Sequence, residues 1–230
     1  MKLCIDAGNT SITLGFFDNG KLVKKSTLPT ADYRKFRLTQ KIDNVIYASV
    51  VPHIDSYFAR YFSKTNFMAV TYKHIKNIRI ALPKKTEIGI DRLVNVSGAA
   101  VLYGNPLIIV DLGTATTFCV LDKKMTYQGG LICPGINLTR LVLHEKTAKL
   151  PLIELKTKPA KLIGQSTAEA MQSGIYYGYV ALINGVLDTL KPKVPAAKII
   201  VTGGYAELLA HDINADIIDT DLTLKSLNLF

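Results

Sequence analysis

The sequence predicts an α/β protein made of two related lobes, and three observations carry that expectation. A strand–turn–strand unit occurs twice, once from Leu3 to Asp18 and again from Ile108 to Asp122. Strand-like and helix-like segments alternate on both sides of a break at Asn105-Pro106. The chain has 230 residues, 48% of them hydrophobic, enough for two compact cores. Apolar runs such as Pro106–Val110 have strand length, and none approaches the roughly 18–20 residues of a membrane span.

The first copy reads Leu3-Cys4-Ile5-Asp6-Ala7-Gly8-Asn9-Thr10 and continues through a β-rich run to Asp18-Asn19-Gly20. Asn and Gly tolerate positive φ, so this tripeptide between β-rich runs signals a hairpin. The second copy reads Ile108-Ile109-Val110-Asp111-Leu112-Gly113-Thr114-Ala115-Thr116-Thr117 and ends at Asp122-Lys123-Lys124. One such unit is unremarkable as a hairpin; two imply a duplicated lobe.

The remaining elements follow in order. Residues 33–41 read as a short helix and 44–50 as a buried strand. Residues 52–64 read as a helix, with Ile54, Tyr57, Phe58 and Tyr61 at helical spacing, and 66–72 as a strand. A helix over 91–103 carries Leu93, Val94, Val96 and Ala100 mostly on one side and is ended by Gly104-Asn105-Pro106. In the second half, 125–133 extends the meander and 134–146 forms a helix that begins on a proline. A long apolar helix spans 165–190, a strand 198–202, and a helix 205–211 after Gly203-Gly204. A β-meander followed by αβ units in each half fits a ribonuclease-H-like lobe used twice, with domains at 1–105 and 106–230.

The formal charge of +10 comes from lysines interrupted by apolar residues, which reads as a solvated surface with a field suited to steering anions. No helix-turn-helix, zinc-finger or aromatic RNA-binding signature accompanies it, so nucleic acid is not an expected partner. Cys4, Cys119 and Cys133 lie in apolar stretches without Cys-x-x-Cys spacing and read as reduced, buried thiols. An acid at position 6 interrupts the start of the chain too early for a signal peptide, and the cytoplasm is the expected location.

Chemistry is carried by five motifs. In Asp6-x-Gly8-Asn9-Thr10 and Asp111-x-Gly113-Thr114, a carboxylate at a strand end can hold a hydrated metal. The glycine lets backbone N–H groups approach phosphate oxygens, and the hydroxyls add donors with little bulk. Two Asx-type turns would give the same residues, but the duplication favours a phosphate clamp. Neither a P-loop nor a Gly-x-Gly-x-x-Gly fingerprint occurs, so a phosphate site here must be of the hairpin type.

Gly89-Ile90-Asp91-Arg92 opens a helix with an acid beside a base. Asp91 can take the proton of an attacking alcohol, and Arg92 can fork onto a carboxylate or phosphate. By residue type alone, an N-cap aspartate beside a solvated arginine is an equal reading. The other three motifs are Gly129-Gly130…Pro134-Gly135, Gly164-Gln165-Ser166-Thr167, where either hydroxyl residue can cap the long helix, and Thr202-Gly203-Gly204. The last suits nucleotide packing and is equally a plain turn.

These five motifs in this order resemble the type III pantothenate kinases, from Asp6 to about Gly204. The resemblance implies two lobes of the actin and sugar-kinase ATPase type, and a cytoplasmic homodimer. The implied activity converts pantothenate and ATP to 4′-phosphopantothenate, the first step of coenzyme A biosynthesis. It implies magnesium and a monovalent cation, potassium or ammonium, as cofactors. Residue by residue, Asp6, Ala7, Gly8, Asn9, Thr10, Ser11, Ile12 and Thr13 match the ATP phosphate loop, with magnesium at Asp6 directly or through water. Asp91 matches the catalytic base, and Gly89, Ile90, Asp91 and Arg92 the pantothenate-binding segment. Asp111 matches the monovalent-cation ligand, Thr114 an ATP contact and Thr167 a pantothenate contact. Leu82 stands where many members place a tyrosine against the substrate, and Lys146 replaces a frequent arginine. The alternatives are another small-molecule kinase or phosphohydrolase of the same fold, or a non-enzymatic transcriptional regulator.

Overall fold

The computed structural model describes residues 1–230 and falls into two compact units. The first comprises Met1–Gly104, Met125–Tyr127 and Asp221–Phe230; the second comprises Asn105–Lys124 and Gln128–Thr220. The C-terminal ten residues thus pack with the N-terminal part of the chain.

In the first unit, β1 (Lys2–Ala7), β2 (Ser11–Asp18), β3 (Lys21–Pro29), β4 (Asn44–Ser49) and β5 (Asn66–Ala69) form a sheet in the order β3-β2-β1-β4-β5. β1 runs antiparallel to β2 and parallel to β4, so Asp6 lies between Thr13 and Ala48. Leu3, Cys4 and Ile5 are all fully buried, as expected of a central strand covered on both faces. The β2–β3 turn has positive φ at both Asn19 (46°) and Gly20 (78°), the I′ pattern its sequence predicts. Helix α1 (Pro52–Tyr61) covers one face through Ile54 and Phe58, joined by Phe36 and Phe62. A two-residue strand β6 (Arg79–Ile80) pairs with Thr126 and Tyr127. Helix α2 (Ile90–Tyr103) packs on the C-terminal helix Leu222–Asn228 so closely that a Cβ on Gly98 would lie 2.0 Å from Ser226 Oγ.

The second unit repeats the plan. β7 (Leu107–Leu112), β8 (Ala115–Leu121) and β9 (Thr126–Pro134, of which residues from Gln128 on belong to this unit) precede α3 (Ile136–Glu145), α4 (Thr167–Leu190), β10 (Lys198–Thr202), α5 (Ala206–Leu209) and β11 (Ile217–Ile218). The strands are ordered β11-β10-β7-β8-β9, again with an antiparallel hairpin and a parallel neighbour. Asp111 lies between Thr117 and Thr202 as Asp6 lies between Thr13 and Ala48. The core gathers Ile108, Val110 and Phe118 from the sheet with Met171, Ile175, Ile183 and Leu187 from α4.

Several predicted boundaries shift, and the helix expected at 52–64 ends at Tyr61. The helix expected at 33–41 is a 3-10 segment, Thr30–Lys35, because Phe36 turns into the core and the run is too short to repay helix nucleation. The strand expected to 72 stops at Ala69, where Thr71 N–H donates to His74 Nδ1 at 2.9 Å and starts a 3-10 turn. Pro134 closes β9 instead of opening a helix; Gly135 is the N-cap of α3. The helix after Gly203-Gly204 is only Ala206–Leu209. All three cysteines are free and on strands, and burial pushes the Cys4 thiol up to about 12. No helix is long and apolar enough to cross a membrane.

Candidate active site

In the first unit the β1–β2 turn is tied by its own backbone. Gly8 N–H donates to Ser11 O at 3.0 Å, and a Cβ on Gly8 would stand 3.2 Å from that oxygen. Buried Thr30 pins the turn from outside, donating its hydroxyl to Gly8 O at 2.6 Å and its N–H to Thr10 O at 3.0 Å. Asn9 and Thr10 are exposed at the tip, and Asp6, Ser11 and Thr13 are half-buried. Ala7 and Ile12 point into the core, leaving only their backbone to face a ligand.

The start of α2 lies at the same end of this sheet. Val50 N–H donates to Ala7 O at 3.1 Å, and Val50 Cγ1 is 3.7 Å from where a Gly89 Cβ would stand. That missing Cβ would also lie 2.5 Å from Asp91 Oδ1, so the carboxylate folds back over Gly89 and accepts Arg92 N–H at 2.8 Å. Burial raises the Asp91 carboxyl above its usual range, outweighing the opposing pull of the Arg92 N–H and guanidinium. A base whose affinity for a proton is raised, yet whose charge is helped by a helix N-terminus, suits alcohol deprotonation. Gly89→Ala is expected to displace this carboxylate and lower turnover by about 10²-fold with folding intact, as judged by circular dichroism and steady-state kinetics.

Arg92 is half-buried, and its Nη2 donates to the hydroxyl of Tyr127 at 2.8 Å. Beside Gly89 and Ile90 lies a cavity of about 590 Å³, with Ser49, Asp55, Lys73 and Lys85 on its walls. Such a volume and mixed polarity suit a small polar metabolite.

In the second unit three motifs distant in sequence converge. Half-buried Asp111 stands one residue before the end of β7, and its Oδ1 lies 3.4 Å from a Cβ built on Gly113 and 2.6 Å from one built on Gly203. Gly135 N–H donates to Thr114 O at 3.1 Å; a Cβ there would fall 2.2 Å from the same oxygen. Glycines at 203 and 135 therefore let the β7–β8 turn sit against β10 and α3. Space over Gly204 is open to 4 Å, and Thr114 is exposed beside the turn. The hydroxyl of Thr116, 1% exposed, has no hydrogen-bond partner beneath it. Open glycine backbone, hydroxyls and a strand-end carboxylate are the parts a nucleotide phosphate site requires, so these residues fit the group.

Thr167 is exposed at the first turn of α4. Ser166, one of the two candidate caps, accepts Glu169 N–H at 3.2 Å, while Glu169 Oε2 accepts Gln165 N–H at 2.7 Å, a capping box in all but one register. Thr167 lines an apolar groove of about 580 Å³ together with Pro134, Thr139 and Tyr179.

The predicted residues thus form two clusters: Asp6 to Thr13 with Gly89 to Arg92 in the first unit, and Asp111 with Thr114 in the second, with Thr167 on that unit's groove. Tyr127 and the Val50 bridge were absent from the sequence reading. The duplication held a signal for the second, since Ala48-Ser49 occupies in the first unit the place of Thr202-Gly203.

Comparison with known proteins identifies the family of the chain. A family model for type III pantothenate kinase matches residues 2–189. A type III pantothenate kinase of Exiguobacterium sp. is 40% identical over 250 aligned residues, covering 100% of this chain and 97% of the relative. One from Halalkalibacterium halodurans is 38% identical, covering 100% and 98%. Among solved structures, a Campylobacter jejuni protein described as a Baf family transcriptional activator superposes with a TM-score of 0.67 at 21% identity, covering 99% of this chain and 96% of that one. A protein described as a sugar kinase from Cytophaga hutchinsonii gives 0.50 at 14% identity, covering 99% and 98%. At such identities these two establish the actin and sugar-kinase ATPase fold alone. The sequence relatives, matched from end to end, go further: this chain belongs to the type III pantothenate kinase family.

Proposed function

We propose that Asp91 is the general base with which this kinase activates the primary hydroxyl of pantothenate for attack on the γ-phosphorus of ATP. The family's reaction is ATP-dependent phosphorylation of pantothenate, the opening step of coenzyme A biosynthesis. The observation that carries the proposal is the placement of the Asp91 carboxylate, folded over Gly89 at the start of α2 and raised in proton affinity by burial. As the hydroxyl oxygen bonds to phosphorus, its proton passes to Asp91 and the bond to the bridging oxygen breaks, releasing ADP. Positioning and neutralisation of charge account for most of the rate in such transfers. Arg92 contributes both by holding an anionic group of the reacting pair. The cavity beside Gly89 gives room for the acceptor, and Lys73 and Lys85 supply cations for its carboxylate.

The β1–β2 turn and the β7–β8 turn are assigned to the ATP phosphates, through Gly8, Asn9, Thr10 and Ser11 in one and Thr114 in the other. No three His, Cys, Asp or Glu side chains gather into a metal cage. Magnesium would be held by Asp6 together with the phosphates, its usual arrangement, and would neutralise their charge. A potassium or ammonium ion is assigned to Asp111, whose carboxylate is walled by glycine backbone. The test is ADP release in the presence of pantothenate, sugars or polyphosphate, with potassium, ammonium or sodium as the salt. Release only with pantothenate, and saturable stimulation by potassium or ammonium over sodium, is expected. Equal rates in all three salts would remove the cation from Asp111; release with a sugar alone would overturn the acceptor.

The same reading includes a homodimer in the cytoplasm. The outward face of α4 is a line of small exposed residues, Ala170, Gly174, Gly178, Ala181 and Gly185, with open space over all three glycines. Backbone so bare allows a second helix to approach closely, and a two-fold axis would set α4 against its copy. Gly178→Leu is expected to halve the mass measured by light scattering while leaving the helical signal in place.

A further inference from the structure

We propose that Tyr127 is a positioning residue for phosphoryl transfer, acting through Arg92. The inference rests on the reading of Arg92 as a substrate-holding group. Tyr127 is fully buried, 0% exposed, in the three-residue segment Met125–Tyr127 that packs with the first unit. Its backbone is fixed by the ladder to β6, where Ala81 N–H donates to Tyr127 O at 3.1 Å. Its hydroxyl accepts Arg92 Nη2 at 2.8 Å. A tyrosine has two side-chain torsions and here no room to move, so the oxygen is a fixed point inside the protein.

Arg92 needs such a point. It follows directly on the proposed base, and a guanidinium carries its five N–H donors in one rigid plane. A bond at one end of that fork therefore sets the orientation of the rest. Without the phenol oxygen, one of its donors loses its acceptor and that end of the fork is less firmly oriented. A plain core tyrosine would explain the burial. It would not require the hydroxyl to meet, at hydrogen-bond distance, the one arginine adjacent to Asp91.

The experiment is a double-mutant cycle on the full chain with Tyr127→Phe, Arg92→Ala and both together. Steady-state kinetics are read with pantothenate varied and then with ATP varied, and melting temperature is recorded for each variant. Phe keeps the ring and its packing, so a melting temperature close to the parent is expected. The value of kcat/KM for pantothenate should fall about 10-fold, the range for one hydrogen bond to a charged group, with KM for ATP unchanged. In the Arg92→Ala background the same change should have no further effect.

Equal losses from Tyr127→Phe in both backgrounds, no loss in either, or failure of Tyr127→Phe to fold would each overturn the positioning role. Full activity of Arg92→Ala would instead overturn the reading of Arg92 itself, and the two failures are told apart by that single variant.

Discussion

Asp91→Asn is expected to fold like the parent and to lose at least about 10²-fold in kcat, the scale of general-base assistance. Asn preserves the shape that folds over Gly89 and can still accept Arg92 N–H, but it cannot take a proton. The direction of the carboxyl shift adds two further expectations. Because burial raises the folded-state value, the base is protonated over more of the acidic range than a free aspartate, and kcat/KM should rise with pH through that raised value. For stability the sign is the reverse. The contribution of this group is fully present below the unfolded value of about 3.9 and is lost as pH rises through the folded value. Wherever this carboxyl is ionised in the folded chain, it is a buried charge that the unfolded chain would solvate. Asp91→Asn should melt at or above the parent temperature near neutrality, with the difference shrinking toward acid. An inactive variant that is also markedly less stable would point to a structural aspartate.

Gly203→Ala is expected to damage stability and nucleotide affinity together. The residue sits at φ +94°, where an L side chain is strained, and the added Cβ would meet Asp111 Oδ1 and the Leu112 backbone at 2.6 Å. Strain and overpacking together should cost about 2–5 kcal/mol, or a fall of about 5–20 °C in melting temperature for a chain of this size. The clash falls on the strand-end carboxylate, so the residual folded enzyme should need more ATP to saturate. Gly204→Ala is the internal control: its Cβ would enter open space, and its melting temperature should stay near the parent. Equal melting temperatures for the two variants would contradict the close approach of β10 to the β7–β8 turn.

The duplicated hairpins were legible in the sequence because every signal in them is local. A strand-end acid, a glycine and hydroxyl residues lie within one turn, and Asn19-Gly20 specifies its own hairpin. Lys198–Thr202 was legible for the same reason, as a β-rich run closed by two glycines. The element ends were less so. Pro134 reads as a helix opener, yet the ladder carries β9 through it and leaves Gly135 as the cap, pressed on Thr114. Phe36 looks like part of a helix, but its burial in the core ends the 3-10 segment before it.

What could not be read were contacts across long separations. Nothing in Thr126-Tyr127-Gln128 announces a partner for Arg92, and nothing in the last ten residues announces that Ser226 will lie against Gly98. Leu82, which departs from the family pattern, is half-buried and does not disturb the match of the whole chain to its relatives. Residue-type reasoning left Asp91 evenly divided between cap and base. In the structure Gly89, not Asp91, is the N-cap of α2, and the Asp91 carboxylate folds back onto Arg92 N–H, which leaves the base reading to the kinetic test.

The most direct test mixes enzyme in excess with γ-labelled ATP and pantothenate and follows the labelled product in a single turnover. Parent and Asp91→Asn are compared after the affinity of each for both substrates has been measured by calorimetry. With ATP and pantothenate affinities intact, the account predicts a transfer step in Asp91→Asn slower by about 10²-fold or more. Transfer at the parent rate, or a deficit that saturating pantothenate restores, would contradict it.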